Sequence, residues 1–152
     1  MNHSSAPNTA ASIFEREFPV TVSTEFTGNV TPLLHEIRHA LAALLKTGEQ
    51  TIIDLRSIPL APGEEAHIET ALGQGEVRVE LNALGRSDIL ETRYPGVWLI
   101  THSNSDGTIL GKYIEIALIS DILLAQQGDI QAGLEQLETK LKPSTEKANE
   151  AI

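Results

Sequence analysis

The clearest periodic pattern in the sequence predicts an amphipathic helix between Thr31 and Gly48. Thr31 suits the N-cap, Pro32 the first helical position, and Gly48 the position just past the end. The apolar residues recur at intervals of three and four, as expected for one buried face: Leu33, Leu34, Ile37, Leu41, Leu44 and Leu45. We therefore expect this helix to pack against the core of the domain.

Strand patterns dominate the chain between residues 51 and 119. The predicted strands are 51–55, 77–82, 88–94, 97–103 and 108–119, with a short helix at 62–72 between the first two. Within 77–82 the residues alternate, so that Val77, Val79 and Leu81 should face the core while the residues between them face water. Asn104–Gly107 predicts a hairpin turn that joins the last two strands. The segment Phe14–Phe26 is rich in β-branched and aromatic residues, and Pro19 makes any strand there an edge strand or one that starts late.

A last helix is predicted after Gly128, with Ile130, Leu134, Leu137 and Leu141 on one face. Strands joined mostly by hairpins indicate an α+β fold: an antiparallel β-sheet of about four to six strands with helices packed on one face. Residues 1–26 are expected to be disordered or partly extended, 27–141 to form a single domain, and 142–152 to be a flexible tail.

The composition narrows the function. The chain has 152 residues and a formal net charge of -10, which argues against nucleic acid or an anionic membrane as the main partner. It contains no cysteine, so thiolate metal sites and cysteine nucleophiles are excluded. With no apolar run of membrane-spanning length and no pattern typical of a secretory signal, we expect a cytoplasmic protein without membrane insertion.

One motif offers an enzyme interpretation. His35-Glu36-Ile37-Arg38-His39 matches HExxH, in which two histidines bind zinc and the glutamate acts as general base. Three observations argue against it: helical periodicity places His35 and His39 on the side away from the apolar face, Arg38 puts a cation beside the metal, and no third ligand follows at a recognisable spacing. A zinc-dependent hydrolase is therefore the alternative, and no metal or other cofactor is expected.

The central segments, taken in their order along the chain, are similar to those of a known protein family. They are Ile53–Glu64, Leu72–Val77, Leu81–Gly85, Glu91-Thr92, Pro95–Trp98 and Thr101-His102, between the PLLHEIRHAL helix and Ile122-Leu123-Leu124. Together they resemble the C-terminal domain of the HupH/HyaF-type hydrogenase expression/formation family. The resemblance implies a chaperone-like accessory protein, not an enzyme, for maturation of the small iron–sulfur subunit of an uptake nickel–iron hydrogenase. The implied partners are the small-subunit precursor and other maturation accessory proteins.

Binding residues are sought on the predicted sheet. Trp98 and His102 alternate with Val97, Leu99 and Thr101, so both lie on one side. On an open face, beside Glu80 and Arg93, Trp98 would be a binding anchor; otherwise it belongs to the core. Asp54 and Arg56 are expected to form a structural salt bridge. The candidates for partner contact are Arg56, Glu76, Glu91, Trp98 and His102. An acidic protein could also engage a basic client segment such as a twin-arginine export signal.

Overall fold

The computed structural model describes residues 28–143. In chain order the elements are α1 (Val30–Thr47), β1 (Thr51–Asp54), α2 (Glu64–Leu72), β2 (Arg78–Asn82), β3 (Arg86–Glu91), β4 (Val97–Ser103), β5 (Ile109–Ile116) and α3 (Gln127–Leu141), with 3₁₀ turns at Leu55–Ser57 and Asp121–Leu123. The predictions for the segment Phe14–Phe26, for residues 1–26 and for the end of the C-terminal tail lie outside the described residues.

The five strands form one antiparallel sheet in the order β1-β5-β4-β3-β2. The predicted α+β class is therefore confirmed. The last four strands, β2 to β5, follow one another as hairpins, and the Asn104–Gly107 turn lies where it was predicted. There the Asn104 side chain accepts the backbone N–H groups of Asp106 and Thr108 at 3.0 and 2.8 Å. β1 joins the sheet at the far edge by pairing with β5.

Helix α1 begins earlier than the sequence predicts. Its N-cap is Asn29 rather than Thr31, because the helical conformation already starts at Val30. Gly48 ends the helix as predicted, with a left-handed φ of 77° that allows its N–H to bond the carbonyl of Leu44 at 2.9 Å. Most of the predicted apolar face packs: Leu33, Ile37 and Leu44 are buried, and Leu34 and Leu41 are partly buried. The prediction is wrong for Leu45, which is 91% exposed at the end of the helix.

The main core lies between the sheet and the first two helices. Residues from α1 and α2, such as Leu33, Ile37 and Ile68, pack against Leu99 and Ile114 of the central strands. Glu64 is fully buried at the start of α2, where its carboxylate accepts the backbone N–H groups of Gly28 and Ala61 at 3.0 and 2.9 Å. This arrangement fixes the point at which the chain enters the domain.

The three helices differ in how much of each is buried. Helices α1 and α2 cover one side of the sheet, but none of the residues of α3 is buried within residues 28–143. The apolar residues of β2 do not face the main core, as a simple two-layer fold would require. Val79 and Leu81 pack on the side of the sheet opposite α1 and α2, and Val77 precedes the strand and is exposed.

A charged cluster links α2 to the sheet. The Lys112 ammonium on β5 donates to the carboxylates of Glu65, at 2.6 Å, and Glu69. Burial lowers the pKa of Lys112, but the two carboxylates raise that pKa by more, so the pKa is raised overall from 10.5. Folding thus favours the protonated lysine.

Replacing Lys112 by methionine should lower the free energy of unfolding by about 0.5–1 kcal/mol at pH 7, because both glutamates are partly exposed. A lysine pKa raised by folding stabilises the fold below its unfolded value and loses this contribution as the pH rises through the folded value. The deficit of Lys112→Met should therefore shrink above about pH 10.4. Urea unfolding at neutral and alkaline pH measures this stability deficit. Lys46→Met, which removes an exposed lysine outside the cluster, is the control. A deficit independent of pH would contradict the assignment.

Candidate functional site

The side of the sheet away from α1 and α2, here called the helix-free face, carries the most distinctive chemistry. Because cross-strand partners point to the same side, the strand register arranges its side chains in three rows. One row holds Glu91, Trp98, Glu115 and Ile52; the second holds Val79, Ile89, Ile100, Tyr113 and Asp54; the third holds Leu81, Ser87, His102 and Gly111.

Trp98 lies at the centre of a second apolar cluster on the helix-free face. Trp98, Ile89 and Ile100 are buried there, and Leu123 of the turn after β5 packs against them. The indole N–H of Trp98 donates to the backbone carbonyl of Ala117 at 3.1 Å. The sequence left open whether Trp98 is core or an open-face anchor. The structure combines the two: Trp98 lies on the face without helices and is nevertheless only 5% exposed.

His102 forms a polar group beside this cluster. Its Nδ1 lies 2.7 Å from the Ser87 hydroxyl, and its ring centroid lies 5.7 Å from that of Tyr113. Gly111, opposite His102, permits this contact, because a Cβ there would lie only 2.7 Å from the Tyr113 ring. The prediction that Trp98 and His102 share one side of β4 is confirmed.

The turn after β5 is anchored by a buried carboxylate. Glu115 is 3% exposed and accepts the Ser120 hydroxyl at 2.5 Å and the backbone N–H of Asp121 at 2.9 Å. These bonds hold the turn Asp121–Leu123 against the helix-free face. A charged acceptor makes the strongest class of such bonds and is costly to leave unpaired when buried.

Turn and sheet together enclose a cavity of about 290 Å³. Its lining combines apolar, aromatic and acidic side chains and contains no lysine or arginine: Ile52, Ile100, His102, Tyr113, Glu115, Asp121 and Ile122. Ile52 and Ile122 at its rim are both exposed, at 63% and 43%. Such a cavity suits the apolar stem and positive end of an arginine or lysine side chain.

The other candidate residues lie around this face without forming one cluster. Glu91 shares the row of Trp98, and its carboxylate accepts the backbone N–H groups of Glu76 and Val77 at 3.0 and 3.2 Å. Glu76 itself is exposed. The predicted neighbours of Trp98 are wrong: the register places Glu80 on the opposite side of the sheet, and Arg93 follows the end of β3, beside Gly73.

The predicted salt bridge between Asp54 and Arg56 is also wrong. Asp54 instead accepts the backbone N–H of Arg56 at 2.9 Å and so caps the 3₁₀ turn that follows β1. The guanidinium of Arg56 donates to the backbone carbonyls of Ile109 and Leu110 at 3.0 and 2.8 Å. A turn between the two residues points their side chains to different partners, which strand alternation alone cannot foresee.

The HExxH residues lie on the exposed side of α1, as helical periodicity predicts. His35, Glu36, Arg38 and His39 are all exposed, and Nη2 of Arg38 lies 3.2 Å from Nε2 of His39. Among residues 28–143, no group of three or more histidine, cysteine, aspartate or glutamate side chains is placed to hold a metal ion. No feature of the geometry therefore favours the zinc-dependent hydrolase.

Sequence reasoning missed the cavity residues Tyr113, Glu115, Asp121 and Ile52. Alternation alone assigns a strand residue to one of two sides, but the pairing register between β4 and β5 decides which of them lie beside Trp98 and His102. The burial of Glu115 cannot be predicted from the sequence, because a glutamate between two isoleucines is typical of an exposed strand position.

Comparison with known proteins identifies the family. A family model described as the HupH hydrogenase expression protein, C-terminal conserved region, matches residues 27–143. The chain belongs to this family. The HupH resemblance seen in the central segments is thereby confirmed, and the matched range includes α1, the sheet and α3.

Two curated relatives are hydrogenase expression/formation proteins that are longer than this chain. The hydrogenase expression/formation protein HupH of Rhizobium leguminosarum bv. viciae is 26% identical over 103 residues, which is 68% of this chain and 36% of that protein. The hydrogenase expression/formation protein HoxQ of Cupriavidus necator is 24% identical over 114 residues, 75% of this chain and 40% of that protein. The chain thus matches well under half the length of either.

A solved structure supports both family and fold. The hydrogenase expression protein HupH from Thiobacillus denitrificans is 39% identical and superimposes with a TM-score of 0.73, covering 76% of this chain and 96% of that one. Within residues 28–143, no helix is long and apolar enough to cross a membrane.

Proposed function

We propose that this protein is a cytoplasmic, non-enzymatic accessory protein for the maturation of a nickel–iron hydrogenase, and that it binds the precursor of the small iron–sulfur subunit in a chaperone-like way. Membership of the HupH family over residues 27–143 carries the proposal. The two curated relatives bear the name hydrogenase expression/formation protein. Because the chain matches only part of those relatives, its client and its mode of action are inferences of ours.

The helix-free face supplies the docking surface in this proposal. Its cavity places the carboxylates of Glu115 and Asp121 beside the apolar walls formed by Ile52, Ile100 and Ile122. A basic residue of an extended client segment would bury its stem against the isoleucines and bring its charge to the carboxylates. The net charge of -10 would favour the approach of such a segment. A twin-arginine export signal on the precursor has the required chemistry.

The candidate contact residues have different positions and roles in this proposal. His102 lines the cavity, and Trp98 supports its floor through the cluster with Ile89 and Ile100. Glu91 lies in the row of Trp98 and accepts the backbone N–H of Glu76, and Arg56 donates to carbonyls at the start of β5. In this proposal His102 contacts the client directly, whereas Trp98 acts by keeping the cavity in shape.

Co-purification with small-subunit precursor tests the proposal. The unmodified protein should capture full-length precursor, and Asp121→Lys should reduce capture by about tenfold, because a new cation at the rim opposes a basic client segment. Asp106→Lys, in the hairpin turn between β4 and β5, makes the same charge change outside the cavity and should capture normally. Equal capture by both variants would contradict docking at the cavity.

Two further preparations separate the finer parts of the proposal. Precursor without its export signal should lose binding; unchanged binding would refute the role of that signal but leave the client assignment intact. The double variant His35→Ala/His39→Ala should capture precursor as well as the unmodified protein does. Stoichiometric zinc that is lost in this variant, with no capture of precursor by either form, would instead support the hydrolase alternative.

A further inference from the structure

Helix α3 presents a continuous apolar seam that the described part of the chain does not cover. The seam consists of Ile130, Leu134, Leu137 and Leu141, spaced by four, three and four residues. These side chains are 48% to 74% exposed. A helix of 15 residues is only marginally stable in water unless another surface packs on it. The seam therefore indicates that α3 is an interaction element.

A groove of matching dimensions runs along α1. Two adjoining cavities of about 240 and 380 Å³, which share Leu41, lie between α1 and the turn at Tyr94–Gly96. Six residues form the α1 wall: Leu34, Ile37, Arg38, Leu41, Leu44 and Leu45. Ile37 and Leu44 are buried at its base, and the other four are spaced by four, three and four residues. Leu45 is 91% exposed, and Leu118 at the same end of the groove is 82% exposed. Seam and groove each extend over about 16 Å at 1.5 Å per residue.

The charges beside the two surfaces are complementary. Arg38 lies within the groove, and α1 carries the cations Arg38 and Lys46 against the single anion Glu36. Helix α3 carries Asp129, Glu135 and Glu138 against the single cation Lys140. In an antiparallel pairing, Arg38 would lie opposite Leu137, where its guanidinium can reach past the seam to Glu138.

The connection between the sheet and α3 argues for a second molecule. Leu123 packs on the helix-free face, whereas the groove belongs to the layer of α1 on the other side of the sheet. Only residues 124–126 separate the 3₁₀ turn from α3, and they can span about 10 Å at most. With the turn anchored to Glu115, this short connection leaves α3 outside its own groove, and none of its residues is buried in the described part of the chain.

We propose that α3 of one molecule docks in the α1 groove of a second copy of this chain, and that the exchange is reciprocal in a two-fold symmetric dimer. Each dimer then contains two equal helix–groove contacts, as expected for an isologous interface with exchanged elements. A pairing of α3 with α3 is the simplest alternative. It would rest on little more than two heptads and would leave Leu45 and Leu118 exposed.

Light scattering coupled to size exclusion, over a dilution series of the full chain, tests the proposal. The unmodified protein should be a dimer. Leu137→Glu on the seam and Leu45→Glu on the groove should each raise the dimer dissociation constant roughly tenfold or more. Gln136→Glu makes a charge change on the polar side of α3 and should leave the dimer unaffected. All three positions are exposed, so circular dichroism should show a folded domain in every variant.

Either of two results would overturn the proposal. A monomer across the whole dilution series would mean that α3 does not pair with a second copy. A dimer that Leu137→Glu dissociates and Leu45→Glu leaves intact would mean that α3 pairs with something other than the groove. Neither result depends on capture of the hydrogenase precursor, so a failure here leaves the proposed function standing.

Discussion

Replacing Trp98 by alanine should lower the free energy of unfolding by about 3–5 kcal/mol, the range expected for deletion of a buried aromatic side chain. The indole fills the cluster with Ile89 and Ile100, and its N–H satisfies the carbonyl of Ala117. A loss of this size is a large share of the roughly 5–15 kcal/mol by which domains are stable. Urea unfolding followed by circular dichroism is the suitable measurement, because Trp98 is the only tryptophan.

Trp98→Phe is the matched control. It keeps most of the apolar volume and removes the hydrogen bond to Ala117, so its loss should be nearer to about 1–2 kcal/mol. The pair of variants separates packing from hydrogen bonding. A loss below about 1 kcal/mol for Trp98→Ala would contradict the burial of this side chain. Trp98 would then be accessible to a partner as a direct anchor.

Replacing Glu115 by alanine should have the second largest effect, a loss of about 2–3 kcal/mol. The substitution leaves the Ser120 hydroxyl and the N–H of Asp121 without their buried acceptor. The turn Asp121–Leu123 should then detach from the helix-free face and open the cavity. Chemical unfolding measures the loss of stability. Faster amide hydrogen exchange at residues 121–124 would show that the turn has detached.

Glu115→Gln tests whether the carboxylate acts as an acceptor or through its charge. The amide oxygen can still accept one of the two bonds, so we expect a smaller loss of stability and slow exchange in the turn. In the co-purification experiment, Glu115→Ala should reduce capture of the precursor even where the domain remains folded. Normal exchange at residues 121–124 in Glu115→Ala would show that the turn is held by other contacts, such as that of Leu123.

The periodic parts of the sequence predicted the elements well. Strand β4 was expected at 97–103 and lies there, and α1 ends at Gly48 as its sequence indicates. Alternation also predicted that Trp98 and His102 share one side of β4. These features depend on neighbours a few residues away, because helix and strand periods are local properties of the backbone. The ordered central segments were further specific enough to indicate the HupH family.

Other features depend on contacts between distant segments. The register of β4 against β5 brings Tyr113 and Glu115 beside Ile100 and Trp98 and thereby forms the cavity. Whether an apolar helix face is covered by its own chain likewise depends on where the preceding segment is anchored and how far it can extend. The pattern of α3 therefore predicted an amphipathic helix correctly, but not that its apolar residues are exposed within residues 28–143.

The sequence by itself thus determined the helices and strands, the fold class and the family, because short-range periodicity and an ordered set of segments carry that information. Only the tertiary structure decided that Trp98 is buried on the helix-free face and that Arg56 binds the carbonyls of β5 instead of Asp54. It also decided that Glu115 closes an acidic cavity. The physical reason is that strand register and turn geometry select each side chain's partners from distant parts of the chain.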